Sequence, residues 1–324
     1  MSGALQLSAP GKMMIIGEYA VLERVPAVVA AVDRRVRLRA AVPQVAEPFS
    51  MNLPAEAVAT RELAERELGA VADDLMLDVS ALRSGDQKLG VGSSAAAAAV
   101  VAAFMLQAHG HPLSDPSVRQ RAMKLALSGH HAVAPRGSGA DVAACSLGGF
   151  VRFVRHAAQE VEATPLSWPS EVCVRVVWTG QQVRTSDMLD AVAALRRRDP
   201  AALQVRMAEL RDAAGAFMGA LAAASVADMI QATAWYGEAM GRLGDAVQAP
   251  IVESKLRTIA DTARNCGGAA KPSGAGGGDV ALALFPDAQR ASHFESACTV
   301  QGLHVLHLGL GVQGIRVDGE ESGS

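Results

Sequence analysis

Aromatic residues are scarce in this chain, at 4% of 324 residues. A hydrophobic core must therefore rest on Ala, Val, Leu and Met rather than on stacked rings. Neither sign of charge is in excess. Thirty Lys and Arg stand against 33 Asp and Glu, a net charge of -3, which gives no support for a nucleic-acid partner. The four cysteines, Cys145, Cys173, Cys266 and Cys298, form no C-x-x-C pair. That spacing indicates neither a zinc site nor a disulfide framework, and reduced core thiols in a cytoplasmic protein are expected. The longest apolar run, residues 95–106, falls short of the roughly 20 residues that span a bilayer. The N-terminus has no charged region followed by an apolar stretch, so neither a secretory leader nor a membrane partner is expected.

What remains is a chain of 50% apolar and 19% charged residues, ample for a buried core and long enough for two domains. Short apolar runs at 13–16 and 27–32 predict strands, and residues 34–42 alternate as a further strand. Arg35, Arg37 and Arg39 fall on its wet face. The proline-bearing stretch 43–60 reads as loop. Helices are expected at 61–69, 93–109 and 117–132, and a strand at 149–154. Prolines and polar residues gather at 155–170, which places a domain boundary there, between 1–168 and 169–324. In the second half, strands are expected near 172–178, 280–285 and 303–308. Helices are expected near 186–198, 201–222, 227–245, 251–265 and 287–300. This order describes an α+β sandwich with helices on one face of the sheet. The tail from Gly309 reads as frayed at its end. His304 and His307 share a strand without a third ligand and read as structural.

Three glycine-rich segments carry the chemistry. The first runs Ser8-Ala9-Pro10-Gly11-Lys12 through Gly17-Glu18-Tyr19. The second is Gly90-Val91-Gly92-Ser93-Ser94-Ala95, and the third is Lys271-Pro272-Ser273-Gly274-Ala275-Gly276-Gly277-Gly278-Asp279. Successive backbone N–H groups in such loops make concave anion sites. The second opens directly into a helix whose N-terminus favours phosphate. It also matches the G-x-G-x-x-A dinucleotide fingerprint, but that reading requires a preceding strand, and residues 83–88 are polar and not strand-like. No G-x-x-x-x-G-K-[ST] is present.

In order and spacing, these segments resemble the three motifs of the GHMP kinase superfamily. The resemblance implies a two-domain α+β architecture with a ferredoxin-like C-terminal domain and an ATP-dependent small-molecule kinase. Four features are similar to phosphomevalonate kinases: residues 137–143 with Gly148-Gly149-Phe150, Trp178-Thr179-Gly180 followed by Thr185 and Ser186, the Lys-Pro-Ser start and Asp279 end of the third segment, and Lys88-Leu89 before the second. Mevalonate kinases carry a magnesium-binding Glu about eleven residues before the catalytic Asp, and His130 stands at that offset here.

The resemblance implies ATP and Mg²⁺ as cofactors and phosphomevalonate as the small-molecule partner, in a monomer or homodimer. Lys12 and Asp141 are the implied catalytic pair. Lys88, Gly90, Val91, Gly92, Ser93, Ser94 and Ala95 are the implied nucleotide-binding residues, with Ser94 on the metal. The acceptor set is Glu18, Tyr19, Arg136, Gly137, Ser138, Thr179, Arg184, Thr185, Ser273, Gly274, Ala275 and Gly276. A carboxylate beside a cation is a reluctant base, whereas a phosphate acceptor is already mostly ionised at neutral pH. A kinase acting on an alcohol such as mevalonate, or a binding protein that has lost catalysis, is the competing expectation. Retained Lys12, Ser94 and Asp141 argue against the latter.

Overall fold

A computed structural model describes residues 5–40, 50–71, 74–157, 160–181 and 184–319. In chain order the elements are β1 (Gln6–Ile16), β2 (Ala27–Ala40), α1 (Ala55–Leu68), β3 (Leu75–Asp78), β4 (Arg83–Ser84), β5 (Gln87–Lys88), α2 (Ser93–Ala108), α3 (Pro116–Val133), α4 (Ala140–Leu147), β6 (Phe150–Arg155) and β7 (Val161–Leu166). There follow β8 (Cys173–Trp178), α5 (Thr185–Arg198), α6 (Pro200–Ala222), α7 (Val226–Val247), α8 (Ser254–Asn265), β9 (Ala269–Ser273), β10 (Val280–Phe285), α9 (Ala288–Val300), β11 (His304–Leu306) and β12 (Arg316–Val317). None of the helices is long and apolar enough to cross a membrane, among the described residues.

The chain divides into two units. The first takes Met1–Met13, Val29–Leu166 and Gly309–Ser324; the second takes Met14–Val28 and Ser167–Leu308. Each unit is discontinuous in sequence.

The first unit is built on a mixed-length sheet in the order β12-β1-β2-β6-β7, with β3 also pairing β2. Helix α2 explains why the chain needs so much alanine. Every residue from Ala95 to Leu106 is buried, and α1, α3 and α4 all pack against it. Only methyl-sized side chains let helix backbones approach from several sides at once, at interior packing density. The C-terminal segment is stitched into the same sheet. β12 pairs β1 at Leu7↔Val317 and Ser8↔Arg316, and Ser8 Oγ donates to Asp318 Oδ1 at 2.6 Å. Arg35 donates to the carbonyls of Gln313 at 2.8 Å and Gly314 at 2.6 Å. Burial lowers the Arg35 pKa to about 10. So Arg35 is not a solvated charge as the alternation implied, while Arg37 is exposed on the same strand. The tail from Gly309 is ordered as far as residue 319; the expected fraying at its end lies outside the described residues.

Other expectations are corrected here. The 43–60 loop ends early, because α1 starts at Ala55 directly after Pro54. Residues 161–166, read as linker, form edge strand β7 in register with β6. Residues 83–88, read as not strand-like, make a two-residue hairpin in which β4 pairs only β5.

The second unit has a four-stranded antiparallel sheet in the order β11-β8-β10-β9. Numbered within the unit this is 4-1-3-2 in a strand–helix–strand–strand–helix–strand run, the ferredoxin-like arrangement. Helices α8 and α9 cover one face, where Val177, Ala281, Ala283 and Phe285 meet Leu256, Ile259 and Phe294. Strand alternation puts Val176, Leu282 and Leu284 on the opposite face, and they are equally buried. The one-sided sheet read from the sequence is therefore covered on both faces. Cys145 and Cys298 are buried free thiols, and burial pushes Cys298 up to about 11.

Because α2 is enclosed all round, Ala98→Leu is expected to destabilise the protein by about 1–3 kcal/mol through overpacking. A lowered urea midpoint at unchanged slope checks this; an unchanged midpoint would mean slack around α2.

Candidate active site

Within the first unit, one strand delivers the key cation. β1 passes close to the loop before α2, and the Lys12 N–H donates to the Val91 carbonyl at 2.8 Å. Gly11 makes that approach possible, since a Cβ there would stand 2.5 Å from Val91 O. The Lys12 side chain then lies over Gly92, where a Cβ would meet its Cγ at 2.6 Å. Gly92 has φ 83° and is the N-cap of α2, a conformation glycine adopts without penalty.

Lys12 Nζ sits 3.1 Å from Asp141 Oδ2, with the lysine side chain 9% and the carboxylate 35% exposed. Asp141 is in the first turn of α4. That helix was not read from the sequence, and its start is held from two sides. The Ala140 N–H donates to Ser138 Oγ at 3.2 Å. One turn earlier in the chain, His131 Nε2 lies 3.2 Å from the Gly137 carbonyl. A carbonyl only accepts, so Nε2 carries the proton, and burial holds the His131 pKa below the usual imidazole value. His131 is a positioning residue that sequence reasoning passed over; its signal was the conspicuous pair His130-His131 at the end of a helix. Buried Cys145 faces the same pair of charges, and desolvation pushes its thiol well above the usual range.

The first turn of α2 carries Ser93, Ser94 and Ala95. Its unpaired N–H groups and dipole suit a phosphate, and Lys88 on β5 is exposed nearby in sequence. Magnesium bound with phosphates needs only one or two protein oxygens. The partly buried Ser94 hydroxyl is a fitting donor. Among the described residues there is no group of three His, Cys, Asp or Glu that could hold a metal by itself. The donor set therefore fits an ion that arrives with phosphate ligands. Arg136 is exposed, and Gly137 and Ser138 are partly buried.

The second unit gathers another subset of the predicted residues. Glu18 is ion-paired with Lys271, both side chains being essentially inaccessible at 1% and 0% exposure. Tyr19 donates its hydroxyl to the Ala275 carbonyl, and burial raises its pKa far above normal. Ser273 Oγ accepts from the Met14 N–H at 3.0 Å and donates to the Met14 carbonyl at 2.8 Å. Thr179 donates its backbone N–H to the Asp279 carbonyl at 2.9 Å, and Lys255 Nζ donates to the Thr179 carbonyl at 2.8 Å. Gly276 packs on Ile251, with Gly274 and Ala275 partly exposed beside it. Arg184 and Thr185 are exposed at the start of α5. Four of the predicted acceptor residues, Glu18, Tyr19, Thr179 and Ser273, thus have side-chain polar atoms engaged by protein.

Comparison with known proteins bears on these arrangements. The family model for the GHMP kinases N terminal domain matches residues 56–149, and that for GHMP kinases C terminal matches residues 222–300. The chain belongs to the GHMP kinases and is a small-molecule kinase. The phosphomevalonate kinase of Streptomyces sp. (strain CL190) is 27% identical over 95% of this chain and 97% of its own length. A protein of known structure from Listeria innocua superposes with a TM-score of 0.84 at 21% identity, covering 98% of this chain and 100% of that one. The phosphomevalonate kinase of Streptococcus pneumoniae, solved with phosphomevalonate and AMPPNP, gives a TM-score of 0.76 at 18% identity over 94% and 99% of the two chains. The two structural likenesses are likenesses of fold.

Since the Lys12 stem occupies the space over Gly92, Gly92→Ala must displace it. Turnover is expected to fall about 10²-fold, the usual scale for an ångström of misplacement, with far-UV circular dichroism unchanged. Wild-type turnover in this variant would separate Lys12 from that contact.

Proposed function

We propose that this kinase transfers the γ-phosphoryl group of ATP to the phosphate of (R)-5-phosphomevalonate, forming 5-diphosphomevalonate in isoprenoid biosynthesis. The observation that carries the reading is the Lys12–Asp141 contact at 3.1 Å. The ion pair gives the aspartate the task of orienting Lys12 rather than that of a base that strips a proton from an alcohol. A phosphate acceptor needs no such base, because its second pKa is about 6. Similarity to phosphomevalonate kinase over nearly the full length of both chains supports the same substrate.

In this mechanism an acceptor phosphate oxygen forms the new bond to Pγ as the bond from Pγ to the β–γ bridging oxygen breaks, and the electron pair leaves with ADP. Phosphoryl transfer of this kind depends on positioning and charge stabilisation. Residues 90–95 cradle the triphosphate with backbone N–H groups. Lys12 neutralises charge building on the transferring group, and Asp141 holds Lys12 in place. Ser94 would hold magnesium, which would supply neutralising charge to the phosphates. In the second unit Arg184, Thr185 and the loop of Ser273, Gly274, Ala275 and Gly276 offer a cation, a hydroxyl and backbone groups to the acceptor. Arg is suited to the acceptor's phosphate because its guanidinium binds bidentately.

Purified protein incubated with ATP, magnesium and a panel of acceptors tests the reading. Turnover on phosphomevalonate and not on mevalonate is expected; phosphate appearing on an alcohol acceptor instead would overturn it. Asp141→Asn is expected to lower turnover only moderately, since no proton is abstracted. A loss of about 10⁴-fold, the upper range for general acid–base catalysis, in a variant that still folds would show that Asp141 is the base.

A further inference from the structure

The second unit buries an ion pair that the reaction does not use. Lys271 Nζ donates to Glu18 Oε1 and to the Pro272 carbonyl at 2.8 Å. Its ammonium lies 5.7 Å from the centre of the Tyr236 ring. The Tyr236 hydroxyl donates to the Glu18 backbone carbonyl at 2.6 Å, and the Gly274 N–H donates to Glu18 Oε1 at 3.3 Å. Glu18 Oε2 is buried and has no protein partner. With the bonds from Tyr19 to Ala275 and between Met14 and Ser273, the segment 14–19 grips the segment 271–275 at several points.

Stability does not account for this pair. Removing two charges from water is costly, and apolar residues of similar size commonly fold at least as well in their place. What an ion pair supplies and an apolar pair does not is direction: one carboxylate oxygen receives both the Lys271 ammonium and the Gly274 N–H, which fixes the register of one segment on the other. The gripped segment needs such fixing. Gly274 has φ +98° and Gly276 has φ +78°, so the backbone beyond Ser273 has few conformational limits of its own.

We infer that Lys271 and Glu18 are positioning residues for the acceptor loop: the buried pair sets the placement of Ser273, Gly274, Ala275 and Gly276 without itself touching the acceptor. The inference rests on the assignment of those four residues to the acceptor under Proposed function.

The test compares wild type with Glu18→Gln, Lys271→Met and the double variant Glu18→Leu/Lys271→Met. Glu18→Gln is expected to raise the KM for phosphomevalonate about tenfold while leaving that for ATP within about twofold, the pattern of a misplaced acceptor contact. The double variant is expected to recover the melting temperature lost in Lys271→Met but not the acceptor KM. Recovery of both together would reduce the pair to a structural element and overturn the inference, as would equal changes in both KM values. Hydrogen exchange supplies a readout independent of the substrate. Glu18→Gln is expected to speed exchange at 273–279 and to leave residues 93–108 unchanged. Unaltered exchange at 273–279 would also overturn the inference, and would expose an acceptor KM effect as direct contact by Glu18. Wild-type protein inactive on phosphomevalonate would count against the substrate assignment alone, with the exchange result still deciding the role of the pair.

Discussion

The arrangement in the first unit depends on one close approach: strand β1 lies near enough to the loop before α2 for the Lys12 N–H to reach the Val91 carbonyl at 2.8 Å. This bond fixes the height of Lys12 along its strand. The absence of a Cβ at Gly92 lets the lysine stem lie flat across the loop, and Asp141 receives the ammonium at the far side. Each partner is in turn set by a different element. The loop leads into α2, whose alanines lock it among three other helices. The aspartate is carried by α4, whose start is braced by Ser138 and His131. The cation is thus placed by backbone geometry first and by charge second.

The Lys12–Asp141 and Lys271–Glu18 ion pairs have opposite characters, and the difference lies in burial. The Asp141 carboxylate is 35% exposed, so water screens its attraction for Lys12 and can solvate either charge. Lys271 and Glu18 have no such screening, for neither reaches solvent.

Much of this was legible in the sequence, because glycine placement and hydrophobic period are local signals. Residues 90–95 read as a glycine-rich loop opening into a helix, and the helix runs from Ser93 as its composition indicated. What was misread depended on non-local facts. Pro165 argued against a strand at 161–166, yet β7 ends the sheet order, and an edge strand has one side on which the missing N–H is not needed. Pro10 similarly hid the first half of β1. Its neighbour β12 pairs only at Leu7 and Ser8, so that side of the strand lacks a ladder beyond Ser8. Glu18 and Tyr19 were legible as motif residues but not as partners of Lys271 and Ala275, more than 250 positions away. No pattern within one segment encodes which distant segment will meet it.

The stitching of residues 316–318 onto 6–8 has a consequence for how the molecule is made. The second unit's main segment, 167–308, is interposed between portions of the first. Synthesis runs from the N-terminus, and domains tend to fold as they emerge. Here β1 must wait for a segment 310 positions further along before its outer ladder can close, while the interposed sheet draws only on residues up to 308. The guest therefore closes over a shorter span of chain than the outer ladder of its host.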